Sequence, residues 1–149
     1  MAEGYGIKWY GKEVFKIATK VSVDAMDAAG AIVQRYVKEH FTRQGTYQKY
    51  GRGKNRSHWS GAPGEPPAID LGNLRASISH NVETKNEQIT GKVFPAIDYL
   101  AAKATSGTDV EYGYYLEYGT SRIKPRPFLR PALNACRNKI KSIFQKAIR

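Results

Sequence analysis

Two apolar stripes at helical spacing, one near each end of the chain, and a stretch of two-residue alternation between them predict an α+β fold. In that fold a long N-terminal helix and a C-terminal helix pack on one face of a small antiparallel β-sheet, and a long mobile loop follows the first helix. A chain of 149 residues with 41% hydrophobic content supports one core and is too short for two, so residues 1–149 form a single domain.

Residues 1–11 form an N-terminal arm ahead of the first helix. From Lys12 to about Phe41, Val14, Ile17, Ala18, Val21, Ala25, Ala28, Ile32 and Tyr36 recur at three and four, with Lys16, Lys20, Asp24, Asp27, Arg35 and Lys38 between them. This is one long amphipathic helix. Gly30 is its weak spot, costing about 1 kcal/mol relative to alanine. Residues 43–67 lose this periodicity and collect five glycines and three prolines, the signature of a flexible loop ending in a stiff proline strap. A turn of helix follows over Leu71 to Ala76. Ile78, His80, Val82 and Thr84 then alternate with Ser77, Ser79, Asn81 and Glu83, and after the polar turn Lys85-Asn86-Glu87 the return runs through Ile89, Gly91 and Val93. The pattern predicts an antiparallel hairpin, with a third strand within Tyr99 to Thr105. Leu129, Leu133, Cys136, Ile140, Ile143, Phe144 and Ala147 mark the C-terminal helix, opened by Pro127 or Pro131 and closed by basic residues that suit the helix dipole.

The charge speaks about partners. Lysine and arginine number 24 against 13 acids, a net charge of +11, and the excess is uneven. Arg43, Lys49, Arg52, Lys54 and Arg56 lie in a stretch without an acid, and nine basic residues with no acid follow Glu117. Nucleic acid or an acidic protein surface is the partner such asymmetry suits. No apolar run reaches signal-peptide or membrane-spanning length, so the expected place of synthesis is a cytoplasm. The single cysteine, Cys136, sits at helical spacing among apolar residues and reads as a buried structural thiol.

The parts of an enzyme are missing from the sequence. His40, His58 and His80 are scattered, with no HExxH pair and no cysteine partners. Gly53-Lys54 and Gly91-Lys92 both lack the glycine and the hydroxyl residue of a phosphate-binding loop. Asp109 and Glu111 have the spacing of ordinary surface carboxylates. No catalytic residue, metal site or cofactor is expected. A nucleic-acid-binding module is the alternative, since residues 43–60 interleave Tyr47, Tyr50 and Trp59 with Lys49, Arg52, Lys54 and Arg56, a composition that joins phosphate contact to base stacking. A loop that orders against a neighbouring subunit has the same composition.

The stretch from Tyr112 to Pro131, YGYYLEYGTSRIKPRPFLRP, has the aromatic and arginine content of a contact element. On a helix, Tyr112, Tyr115 and Leu116 share one side and Tyr114 and Tyr118 another, so one body cannot easily bury both. This block, with its Glu117-Tyr118-Gly119-Thr120 and Arg126-Pro127-Phe128-Leu129-Arg130-Pro131-Ala132, resembles the small head-tail connector and tail-completion proteins of long-tailed bacteriophages. A second block, Ala62 to Ile78 (APGEPPAIDLGNLRASI), is similar to that family's Pro-Gly-x-Pro-Pro and Gly-x-Leu-Arg-x-Ser-Ile. One position departs: Leu71 stands where the family often carries a small hydroxyl residue.

The resemblance implies the same α+β architecture and a structural virion protein of the neck or tail end. Such a protein would assemble into a hexameric or dodecameric ring, dock on adjacent head-completion, tail-terminator or tail-tube proteins, and come near the packaged DNA. On these motifs Tyr114, Tyr115, Glu117, Tyr118, Gly119, Arg126 and Phe128 form the partner interface. Arg126 is expected to grip a carboxylate bidentately, Glu117 of its own or a neighbouring chain being the candidate. Phe128 and Leu129 anchor the C-terminal helix, and Gly119 permits the turn between them.

Overall fold

The computed structural model describes residues 11–42, 45–52, 56–69, 72–96 and 109–148. Its helices and strands are α1 (Gly11–His40), β1 (Lys49–Arg52), β2 (Arg56–Trp59), α2 (Asn73–Ser77), β3 (Ile78–Lys85), β4 (Gln88–Pro95), α3 (Asp109–Tyr118) and α4 (Leu129–Ala147). The fold is α+β: the long N-terminal helix and the C-terminal helix pack with the antiparallel pair β3–β4. The expected third strand lies in residues 97–108, outside the described residues.

α1 is the shared partner, lying along α4 on one flank and against β3 and β4 on the other. Val33, Val37, Phe41, Ile78, Leu116, Phe128, Ala132 and Cys136 form one buried cluster, with Ile32, Tyr36, Leu74, Val93 and Ile140 packed around it. The core therefore draws on α4, Leu116, Phe128 and the first residue of β3, but on α1 it runs through Ala25, Ala29, Val33, Val37 and Phe41 and not through the expected Ala28, Ile32 and Tyr36, of which Ala28 is exposed and the other two are partly buried. Among the described residues no helix is long and apolar enough to cross a membrane.

The two glycine and histidine features of the sequence meet. A Cβ on Gly30 would lie 2.8 Å from Cδ2 of His80, so glycine is what lets the imidazole sit against α1. His80 is held there between Gln34 Oε1 on Nδ1 and Asp27 Oδ1, 3.1 Å from Nε2, and the Gln34 amide donates to the Ile78 carbonyl at 2.8 Å. The propensity cost of Gly30 is thus offset by a helix-to-strand contact.

β3 and β4 pair from Ile78↔Pro95 to Lys85↔Gln88, leaving Asn86 and Glu87 as a two-residue turn with φ of 49° and 63°. Both central residues are left-handed, as a type I′ turn requires.

Two details differ from the sequence expectation. The loop after α1 contains a short hairpin, β1–β2, registered from Lys49↔Trp59 to Arg52↔Arg56. Its strands are four residues long and mostly polar, so no hydrophobic alternation announced them. The apolar stripe of α1 also outruns its cover. α1 has 30 residues and α4 has 19, or about 45 Å against about 28 Å at 1.5 Å per residue. Val14, Phe15 and Ile17 in the first turns of α1 are consequently exposed, and Val14, Ile17, Ala18 and Val21 line an open apolar groove with Ala147 and Ile148. Leu133, expected in the core stripe of α4, is likewise exposed.

Candidate functional site

The proline strap is tied to the end of α1. Thr42 and Ala68 form a parallel bridge, with Thr42 N–H donating to the Pro67 carbonyl at 3.3 Å and Ile69 N–H to that of Thr42 at 2.7 Å. Arg75 on α2 donates from Nε to the Lys38 carbonyl at 2.7 Å, satisfying a carbonyl that the last turn of α1 leaves open.

The strap then meets the Arg-Pro-Phe segment. Gly64 N–H donates to the Pro125 carbonyl at 2.9 Å, and the buried Arg126 donates from Nε to the Gly61 carbonyl at 2.7 Å and from Nη2 to Ser60 Oγ at 3.4 Å. Arg126 N–H also reaches the Leu116 carbonyl of α3 at 2.6 Å. The two sequence blocks, Ala62 to Ile78 and Tyr112 to Pro131, thereby close into one knot beside the end of α1.

Glu117 serves the knot in a way the sequence did not suggest. Its buried carboxylate accepts the N–H groups of Phe128 at 2.7 Å and Leu129 at 2.9 Å on Oε2, and that of Arg130 at 3.0 Å on Oε1. These are the open donors at the start of α4, and the next residue, Pro131, has no N–H to satisfy. A negative charge at a helix N-terminus is also favoured by the helix dipole. The expected Arg126–Glu117 pair does not form. The Glu117 carboxylate is committed to the N–H groups at the start of α4, and the Arg126 guanidinium to the Gly61 carbonyl and Ser60 Oγ.

Phe128, offered as an interface residue, is instead core: it is buried, with its ring centroid 5.4 Å from that of Phe41. Gly119 ends α3 at φ 77°, its N–H donating to the Tyr115 carbonyl at 2.8 Å. A side chain there would also crowd the Ile123 carbonyl and Pro125. Thr120 braces the following turn by accepting the N–H groups of Arg122 and Ile123 on Oγ1.

With Gly113, Leu116 and Glu117 turned inward, α3 presents its tyrosines outward. Tyr114 and Tyr118 are 62% and 56% exposed, with Tyr112 and Tyr115 less so. Tyr114 lies 4.7 Å from Tyr118 and 6.2 Å from Tyr115 between centroids, and the Arg130 guanidinium sits 5.8 Å above the Tyr118 ring. This is an aromatic face lying over the hydrogen-bonded knot made by Glu117 and Arg126. Of the side expected to carry Tyr112, Tyr115 and Leu116, Leu116 is buried in the core, while the two tyrosines remain less exposed than Tyr114 and Tyr118 on the other.

The basic candidates fall on the β1–β2 hairpin. Lys49 and Trp59 are backbone partners at its base, with Lys49 exposed and Trp59 partly so, and Arg52 and Arg56 are partners at its tip. Lys54 lies outside the described residues. Ser60, Gly61 and Arg75 are the structural residues the sequence reading missed, since their role rests on hydrogen bonds across long separations. No family model matches the chain, and no curated protein or solved structure matches it either.

Proposed function

We propose that this chain is a structural virion protein of a tailed phage, joining head to tail by ring formation and by docking on neighbouring neck and tail-tube proteins. The carrying observation is the outward tyrosine face of α3, in which Tyr114, Tyr115 and Tyr118 are exposed while the motif residues beneath them, Glu117, Arg126 and Phe128, are buried. Exposed tyrosines are what a docking surface needs, since they bury large area at little cost in side-chain freedom. The uncovered apolar start of α1 gives a second surface suited to contact. Of the motif residues, Glu117, Arg126 and Phe128 lie beneath the tyrosine face and Tyr118 forms part of it.

The test is Tyr114→Ala with Tyr118→Ala in the phage that encodes the protein. Thermal stability should change little, while electron microscopy of lysates should show unjoined heads and tails and infectivity should fall by orders of magnitude. Absence of the protein from purified virions, or normal particles from the double variant, overturns the reading.

A further inference from the structure

We propose that the outer face of α4 binds the phosphate backbone of nucleic acid. The side of α4 away from α1 carries Arg130, Asn134, Arg137, Asn138, Lys141 and Gln145, all exposed. Their offsets of 4, 7, 8, 11 and 15 residues keep them on one face, which runs about 22 Å at 1.5 Å per residue. Every one of the six is a hydrogen-bond donor and none is an acid. Pro131 and Leu133 are exposed apolar side chains at its margins between Arg130 and Gln145.

A protein partner would ask for something else. Interface cores are aromatic and apolar and poor in lysine, a description that fits the α3 tyrosines and not this face. Phosphate oxygens are pure acceptors, and Arg, Lys, Asn and Gln are the side chains that contact them without regard to sequence. Charge points the same way. No carboxylate pairs with Arg130, Arg137 or Lys141 among the described residues, where the ion pairs are Arg35–Glu39, Asp27–His80 and Glu83–Lys92. The chain has no acid after Glu117, and Glu117 is buried in its capping role. Arg137 Nη2 donates to Asn134 Oδ1 at 3.4 Å, which turns the Asn134 amide nitrogen away from the arginine and free to donate. This face differs from the β1–β2 hairpin, and its proposed ligand does not depend on the assembly reading.

The test uses the purified full chain and a fluorescein-labelled DNA duplex of mixed sequence, read by anisotropy against salt. Arg130→Gln, Arg137→Gln and Lys141→Gln together should weaken binding at low salt at least tenfold and flatten the log–log salt slope by about 2 to 3, one counterion release per lost phosphate contact. The same flattening should appear in a background carrying Arg52→Gln, Lys54→Gln and Arg56→Gln. Circular dichroism checks that the triple variant stays helical; should it melt, Arg137→Gln and Lys141→Gln taken singly should each flatten the slope by about 1. No binding by the wild-type chain, an unchanged slope in the α4 variants, or equally tight binding of polyglutamate would each overturn the proposal.

Discussion

Glu117 on α3 caps the helix that begins after Phe128: its carboxylate takes the Phe128 N–H at 2.7 Å and holds the two N–H groups that follow. The cap comes from another helix, so it joins two elements as well as closing one. Glu117→Ala should lose about 2 to 4 kcal/mol, since the buried donors are left open. Glu117→Gln, which keeps an acceptor but not the charge, should lose less. Urea unfolding of both variants measures this, and a loss below about 0.5 kcal/mol for alanine would deny the cap any weight.

Phe128→Ala should cost about 3 to 5 kcal/mol, because the ring is enclosed and stands against Phe41. A double-mutant cycle with Phe41→Leu should show coupling of about 0.5 to 1.5 kcal/mol. Additive losses would mean the two rings share space without interacting.

Arg126 holds the proline strap through the Gly61 carbonyl and Ser60. Arg126→Met keeps much of the volume and removes the donors, so amide exchange should quicken at Gly64, Ile69 and Thr42, whose N–H bonds fasten the strap. Exchange as slow as in the parent chain would show that the strap is held without the guanidinium.

Gly30→Ala would favour an isolated helix by about 1 kcal/mol. In this fold it should destabilise by about 1 kcal/mol or more, because the new methyl meets the His80 ring. In a His80→Ala background the same change should stabilise. Thermal melting of the four chains reads the reversal, and a substitution that stabilises in both backgrounds would contradict the contact.

Burial pushes the Cys136 thiol above its ordinary range, with Lys139 partly opposing. The folded state therefore prefers the neutral thiol. Its contribution to stability is whole below the ordinary thiol value and is lost as pH rises through the higher folded one. Between pH 8 and pH 10.5 the parent should lose more stability than Cys136→Ala. Equal losses would assign the alkaline dependence to other groups.

The long first helix, the C-terminal helix and the β3–β4 hairpin were legible in the sequence because their apolar residues repeat with the period of the element itself, and a period is a local property. The same patterns misplaced Val14, Ile17 and Leu133, since a stripe shows which side of a helix can be buried and says nothing of how far a neighbour reaches to cover it. The Tyr112 to Pro131 block was visible as a cluster of unusual residues, but their division into outward tyrosines and an inward Glu117, Arg126 and Phe128 was decided by tertiary structure. The reason is physical. A carboxylate, a guanidinium and a phenyl ring each take whichever partner the fold brings within about 3 to 5 Å, and here those partners are the N-terminus of α4, the Gly61 carbonyl and Phe41, two of them more than 60 residues away in the chain.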